Sequence, residues 1–376
     1  MVAALRPGAA RRTAERRPAW WRAPFLLLAF VALAAGVLAG LARLGVAVPT
    51  AAAGLAALHG PLMVGGFFGV VIALERAVAI GRAWAYAAPL FAAMGSVLLL
   101  LGAASPARWL YVAGSAVLLI ASLNVSRRQR EWFTVTIALG AACWTAGVAA
   151  WAAGAPVHAV APWWLSFLVL TIAGERLELS RLLPPSARAR QVFAALLGLA
   201  VLALFAASRW PSALRVYGLA LLGLALWLLK QDVARRTVRQ HGLARFIAVC
   251  LLSGYVWLAV AGVVVAAARE WLPGTPAYDA ALHAVLLGFV FAMVFGHAPV
   301  IFPAVLRVAV PYHPVFYAPL VVLHASLLLR VAGDAMAYPA LLRAGGLLAA
   351  VALALFVLVT VGAVIRGRRA PRDRAA

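Results

Sequence analysis

The sequence has few charged residues and a large excess of apolar ones. Only 11% of its 376 residues are charged, whereas 66% are hydrophobic, and the mean hydropathy is +1.00. A water-soluble fold of this length cannot bury so much apolar surface, so the composition excludes a soluble globular protein. It predicts an all-α polytopic membrane protein.

Cysteine is nearly absent, and the two that occur, Cys143 and Cys250, lie in separate apolar blocks. Such a pair provides neither a disulfide framework nor a metal-binding motif. The chain also has no P-loop, no GxSxG, no CxxC and no HExxH sequence. These absences remove the common motif-based enzyme classes and leave open whether the protein is an enzyme.

Lysine is represented by Lys230 alone, so arginine carries nearly all of the net charge of +23. In a soluble domain that charge would suggest nucleic acid as a partner. Here the arginines lie between apolar blocks, and the positive-inside rule accounts for them. We therefore expect a lipid bilayer around the protein and no nucleic-acid partner.

The apolar blocks are long enough to cross a membrane, which takes about 20 residues each. Twelve blocks qualify and form a predicted membrane domain over residues 25–366, between a basic segment at 1–24 and a basic tail at 367–376. The blocks are residues 25–44, 52–74, 84–104, 108–125, 132–153, 159–177, 190–208, 212–229, 246–268, 280–302, 314–332 and 340–365.

Two of these spans end in similar sequences. Span two ends in VVIALERAVAIGR and span six, four spans later, ends in LTIAGERLELSR. Span ten, four spans after span six, has a histidine near its start, as span two does. This interval predicts three four-helix units, with chance similarity in an Ala-, Leu- and Val-rich chain as the alternative. We expect Glu75-Arg76 and Glu175-Arg176 to be anchors that face the headgroups, and an entry point for protons is the other interpretation.

Seven histidines are present, and four of them lie within spans: His59, His283, His297 and His324. An ionisable side chain inside a membrane marks a functional site by default, although a hydrogen bond between helices is the alternative. His158 and His313 lie at span edges, and His241 lies in a basic loop, where we expect it to be solvated.

His59 and His283 are the strongest candidates because spans two and ten run in the same direction. Their predicted depths differ by only ~6 Å at ~1.5 Å per residue. Two neutral imidazoles from facing helices at one depth can bind a haem iron axially. The glycines at positions 60, 65, 66 and 69 leave room either for a flat macrocycle or for a neighbouring helix.

A second site is predicted deeper in the membrane. His297 follows His283 by 14 residues and therefore projects from nearly the same helix face, ~21 Å further along. His324 lies near the middle of span eleven, across an adjacent helix pair. His297 and His324 together are candidates to hold a haem or a copper ion.

These features resemble two families. Twelve spans with histidines in spans two and ten are similar to subunit I of the haem-copper oxidases, where those spans supply the low-spin haem ligands, here His59 and His283. HAVLLGFVFAMVFGH and HASLLLRVAGD resemble motifs of the NnrS family of haem- and copper-containing membrane proteins. The chain has no histidine pair in span seven and no His-x-His in span ten, so the oxygen-reducing copper site is not implied.

The resemblance implies a haem b, with copper as a further candidate metal, in a multi-pass protein of the bacterial inner membrane. It also implies a role in nitric-oxide, denitrification or respiratory metabolism, with an electron donor or denitrification proteins as partners. Two other classes stay open: a twelve-span secondary transporter or permease, and an assembly factor without turnover.

The charge distribution predicts the orientation of the chain. With the N-terminus inside, 26 of the 33 Lys and Arg residues lie in inner segments and 7 lie in outer ones. The positive-inside rule then places both termini in the cytoplasm. A C-terminal fusion to a reporter that fluoresces only in the cytoplasm should be bright, and a periplasm-dependent reporter should be silent; the opposite pattern would contradict this topology.

Overall fold

The computed structural model describes residues 19–179 and 185–369. Within these residues the chain is helical, has no β-strand, and contains the twelve membrane-length apolar helices that the sequence predicts. The predicted tails lie largely outside the described residues, at positions 1–18 and 370–376. The spans are Trp20–Arg43, Ala56–Ile80, Ala83–Leu100, Ala104–Arg128, Trp132–Ala152, Val157–Leu179, Ala187–Ala207, Ala213–Gln231, Gly242–Ala267, Pro276–Leu306, Pro314–Ala335 and Pro339–Arg368.

The bundle has two distinct ends. At one end the first and last spans meet, and the Arg368 guanidinium of the last span lies 4.5 Å from the ring centre of Trp20 in the first. The backbone N–H of Ala19 also donates to the carbonyl of Leu306 at 2.9 Å in this region. We call this the terminal end, and we call the opposite end, where His59 and His283 begin their spans, the histidine end.

Of spans two, six and ten, span ten packs against both of the others. They are among the most buried of the twelve, and an ion pair between Arg76 and Glu175 also joins spans two and six at the terminal end. These are the three spans in which the sequence shows its weak similarity. The interval of four spans therefore connects three strongly buried helices, and their grouping into three four-helix units stays a prediction.

Spans two and ten share an unusual local structure. Each contains an eight-residue π-helical segment, Leu62–Gly69 in span two and Ala284–Phe291 in span ten, shortly after its histidine. Phe67 and Phe291, each eight residues after its histidine, stack with ring centres 5.6 Å apart and planes at 11°. Widened π-helical turns are rare and often mark functional sites.

Three glycines of span two allow other side chains to pack closely against this helix. A Cβ atom on Gly65 would lie 2.8 Å from the Tyr111 ring, and one on Gly69 would lie 2.5 Å from the Trp144 ring. A Cβ atom on Gly66 would lie 2.8 Å from the Cβ atom of Ala32 in span one. Close approach of neighbouring helices is therefore found at Gly65, Gly66 and Gly69. Gly60 lines a cavity beside His59, and room for a macrocycle there stays a prediction.

The expectation that both arginines of the Glu-Arg pairs face the headgroups is wrong for Arg176. Its side chain is buried and donates to both carboxylate oxygens of Asp232, at 2.8 and 3.0 Å. Burial alone would raise the pKa of Asp232, but the hydrogen bonds and charge of Arg176, with hydrogen bonds from Tyr255 and the Ala234 N–H, lower it below its ordinary value. Because a buried cation needs a partner, the pair joins spans six and eight.

Breaking this ion pair should destabilise the protein strongly. Asp232→Asn leaves Arg176 buried without its counterion, and such a change costs about 3–5 kcal/mol. The loss can be measured as a lower unfolding temperature in detergent, with a thiol-reactive dye reporting exposure of the buried Cys143 and Cys250. An exposed-site control, Glu270→Gln, should unfold at the wild-type temperature, and an unchanged Asp232→Asn variant would show that the pair does not contribute.

Candidate functional site

The structure brings His59 and His283 together at the histidine end. Their ring centres are 6.3 Å apart and their planes differ by 18°. Spans two and ten run in the same direction, and the Phe67–Phe291 stack one segment deeper keeps them in register. The predicted proximity of these two side chains is therefore present in the fold.

Backbone carbonyls fix the tautomer of both rings. The Nδ1 atom of His59 lies 2.7 Å from the carbonyl oxygen of Gly36, and that of His283 lies 2.8 Å from the carbonyl oxygen of Asp279. A carbonyl oxygen only accepts, so Nδ1 carries the proton in each ring. The lone pair of a neutral ring is then on Nε2, which makes no hydrogen bond within the described residues. Metal-binding histidines commonly have this arrangement.

The spacing of the rings suits a single metal ion between them. Metal–imidazole bonds are ~2.0–2.1 Å long, and a ring nitrogen lies ~1.1 Å from its ring centre, so two imidazoles whose Nε2 atoms both pointed at one ion from opposite sides would have centres ~6.3 Å apart. The observed separation of the two ring centres is 6.3 Å. The donor set, two neutral nitrogens, is that of an axially coordinated haem iron.

Both histidines line a cavity of about 640 Å³, which we call the paired-histidine cavity. Its walls come from spans one, two, six, ten, eleven and twelve and are mainly apolar, and its volume is within the 300–1,000 Å³ typical of cofactor pockets. Two buried polar atoms of wall residues lack a hydrogen-bond partner within the described part of the chain, Nε1 of Trp164 and Oδ2 of Asp334.

A charged group lies beside His283. Arg330 donates to both carboxylate oxygens of Asp279, at 2.8 and 2.9 Å, and Oδ1 of Asp279 is 3.4 Å from Nδ1 of His283. Asp334 lies next to Asp279, one helical turn after Arg330. The imidazole of His283 is thus held by an acidic residue that is itself held by an arginine.

Arg43 adds a second cation to the wall of the cavity. It makes no ion pair with any residue in 19–179 or 185–369. A ligand that carries a carboxylate could therefore pair with this guanidinium.

Span one provides a close-fitting surface for His59. A Cβ atom on Gly40 would lie 2.8 Å from both Cε1 and Nδ1 of the His59 ring. The absence of a side chain at Gly40 lets the ring lie on the helix and reach the carbonyl of Gly36 one turn earlier. The orientation of His59 therefore depends on two glycines of a different span.

The other predicted ligands are arranged differently. His297 donates Nδ1–H to the Met293 carbonyl at 2.8 Å. His324 accepts from Nε1 of Trp257 through Nδ1 at 3.0 Å, so its Nε2 carries the proton and donates to Ser253, also at 3.0 Å. Both nitrogens of His324 are occupied, and a metal site at His297 and His324 would require one of these bonds to break. That second site stays a prediction.

His158 and His313 lie at the ends of spans and His241 lies in a loop, as expected. His241 is exposed, and His313 accepts a hydrogen bond from the Val315 N–H at 3.2 Å. His158 lies in the wall of the paired-histidine cavity, a position its sequence context does not predict. Within the described residues no group of three or more His, Cys, Asp or Glu side chains is close enough to hold a metal ion, whereas axial ligation of a haem needs only two.

Several site residues were missed by sequence reasoning although a signal existed. Asp279 and His283 are four residues apart, as are Arg330 and Asp334, and that interval puts each pair on one helix face. Gly36 and Gly40 show the same interval in span one. The interval does not reveal that the three pairs meet, because this depends on how spans one, ten and eleven pack.

Comparisons with known proteins give the chain a family. No curated protein and no solved structure matches it significantly. One family model, described as Domain of unknown function (DUF8744), matches residues 22–365, which include all twelve spans almost completely. Because this match extends over most of the sequence, the chain belongs to the DUF8744 family.

Proposed function

We propose that this protein is an integral membrane haem protein in which His59 and His283 bind the iron of one b-type haem. The observation that carries the proposal is the pair of imidazoles with ring centres 6.3 Å apart, each with Nδ1 bonded to a backbone carbonyl. Both free Nε2 atoms belong to rings that line one apolar cavity. A haem bound there would supply one-electron redox chemistry.

The protein's own residues would position such a cofactor and keep water from it. Apolar and aromatic side chains, among them Phe68, Phe291 and Trp164, form the deep wall of the cavity. Haem b carries two carboxylates, and Arg43 is a cation without an ion-pair partner in the described residues. The two π-helical segments follow the histidines and give both spans the same local geometry.

The finer assignment rests on the resemblance of the histidine motifs to the NnrS family and to haem-copper oxidase subunit I. On that basis the protein acts in nitric-oxide, denitrification or respiratory metabolism in a bacterial inner membrane, with both termini in the cytoplasm. The paired-histidine cavity then faces the outer side. An electron donor is its expected partner, and copper at His297 and His324 is a second candidate metal.

Loss of either ligand should remove the low-spin haem. Wild-type protein purified in detergent from haem-replete cells should show a Soret band and the visible bands of a six-coordinate low-spin haem. His59→Ala and His283→Ala should each abolish the low-spin component, because one axial nitrogen is then absent. Optical spectra of the oxidised and reduced protein measure this directly.

His158→Ala is the matched control, since His158 lies in the same cavity wall but has no hydrogen bond or ring stacking with His59 or His283 in the described structure. It should keep the wild-type spectrum. A colourless, folded wild-type preparation would refute the proposal and would favour the transporter alternative.

A methyl group on Gly40 should disturb the site by displacing the His59 ring. Gly40→Ala places a Cβ 2.8 Å from the imidazole and forces the ring away from the Gly36 carbonyl. Loss of a hydrogen bond that orients a metal-binding histidine lowers metal affinity by about 10- to 100-fold, and we expect a fall of that order in haem affinity. Haem titration of the apoprotein measures it.

Gly198→Ala in span seven is the control for the change in helix propensity. A Cβ on Gly198 meets no atom within 4 Å, so its haem affinity should equal that of the wild type. Equal affinities for the Gly40 and Gly198 variants would show that the position of the His59 ring does not depend on span one.

A further inference from the structure

The two histidines of the pair have different partners. His59 donates to the neutral carbonyl of Gly36 and makes no ion pair with a carboxylate of residues 19–179 or 185–369. His283 donates to the carbonyl of Asp279 and also has a carboxylate oxygen of Asp279 3.4 Å from the same Nδ1 atom. The two nitrogen ligands are therefore electronically unequal.

The carboxylate beside His283 is fixed in place. Asp279 lies in the first turn of span ten, one turn before His283, and the hydroxyl of Thr275 caps this helix by accepting from the Tyr278 N–H. Arg330 of span eleven holds both oxygens of Asp279, and its own side chain is only 8% exposed. A bidentate clamp of this kind leaves the carboxylate little freedom to turn away from the imidazole.

We propose that Asp279 is a positioning residue that strengthens His283 as an electron-donating ligand and lowers the reduction potential of the bound iron. Arg330 opposes this effect by partly neutralising the carboxylate, so the Asp279–Arg330 pair sets the potential. This inference rests on the proposed haem at His59 and His283. Asp279 and Arg330, although they form one ion pair, then have opposite effects on the reduction potential.

The physical reason is the charge that each residue directs at the imidazole. A carboxylate near a ligand N–H makes the imidazole more basic and stabilises the oxidised, more positive iron. Removing it favours the reduced iron, whereas removing the arginine leaves the carboxylate uncompensated and favours the oxidised iron. A mere loss of local structure would instead shift the midpoint potential in the same direction in both variants, because either change breaks the same two hydrogen bonds.

The test is a redox titration of purified Asp279→Asn and Arg330→Gln at pH 8, followed optically. Asp279→Asn should raise the midpoint potential and Arg330→Gln should lower it. The expected change is about tenfold in the oxidised-to-reduced ratio at fixed potential, or about 59 mV for a one-electron couple. The double variant, which removes both charges, should return close to the wild-type potential.

Asp232→Asn is the control for loss of a buried Asp–Arg clamp, since it breaks the other bidentate pair at the terminal end. Its midpoint potential, measured at a temperature at which the variant stays folded, should equal that of the wild type. Shifts of the same sign in the Asp279 and Arg330 variants, or no shift in either, would overturn the inference while leaving the haem assignment intact. Absence of haem from the wild-type protein would overturn the proposed function and this inference together.

Discussion

Hydrogen bonds from the Nδ1 atoms of His59 and His283 to backbone carbonyls determine what the paired-histidine cavity can bind. Each bond fixes one tautomer and leaves Nε2 with a lone pair. Without them either ring could rotate or present an N–H to the cavity, and the 6.3 Å separation would have no chemical consequence. The fold supports the two bonds from different directions: span one supplies the acceptor for His59, and span ten supplies its own acceptor for His283.

The helices around the pair are held by features that recur in both spans. Phe67 and Phe291 lie at the same distance from their histidines and stack on each other, so the two helices keep one register. The π-helical segments between each histidine and its phenylalanine make both spans irregular in the same place. In a bilayer such irregular backbone is tolerated where protein covers it, and both segments are almost entirely buried.

Much of the fold follows from the sequence, because membrane length and backbone hydrogen bonding leave few choices for an apolar chain. The twelve spans and the similar depths of His59 and His283 could be predicted from spacing alone. The carboxylate of Asp279 and the guanidinium of Arg330 could not, since they are 51 residues apart and meet only when spans ten and eleven pack. For the same reason Arg176 was expected at the headgroups, whereas Asp232 keeps it buried. His324 was predicted as a ligand from its depth, but depth does not reveal its bonds to Trp257 and Ser253.

The central claim is that one iron is bound by the imidazoles of both His59 and His283. Pulsed electron paramagnetic resonance on the oxidised protein, grown with ¹⁵N-labelled histidine, measures it most directly. The account predicts couplings from two imidazole nitrogens on a low-spin iron in the wild type. Coupling from one imidazole or none, in protein that contains stoichiometric haem, would contradict it.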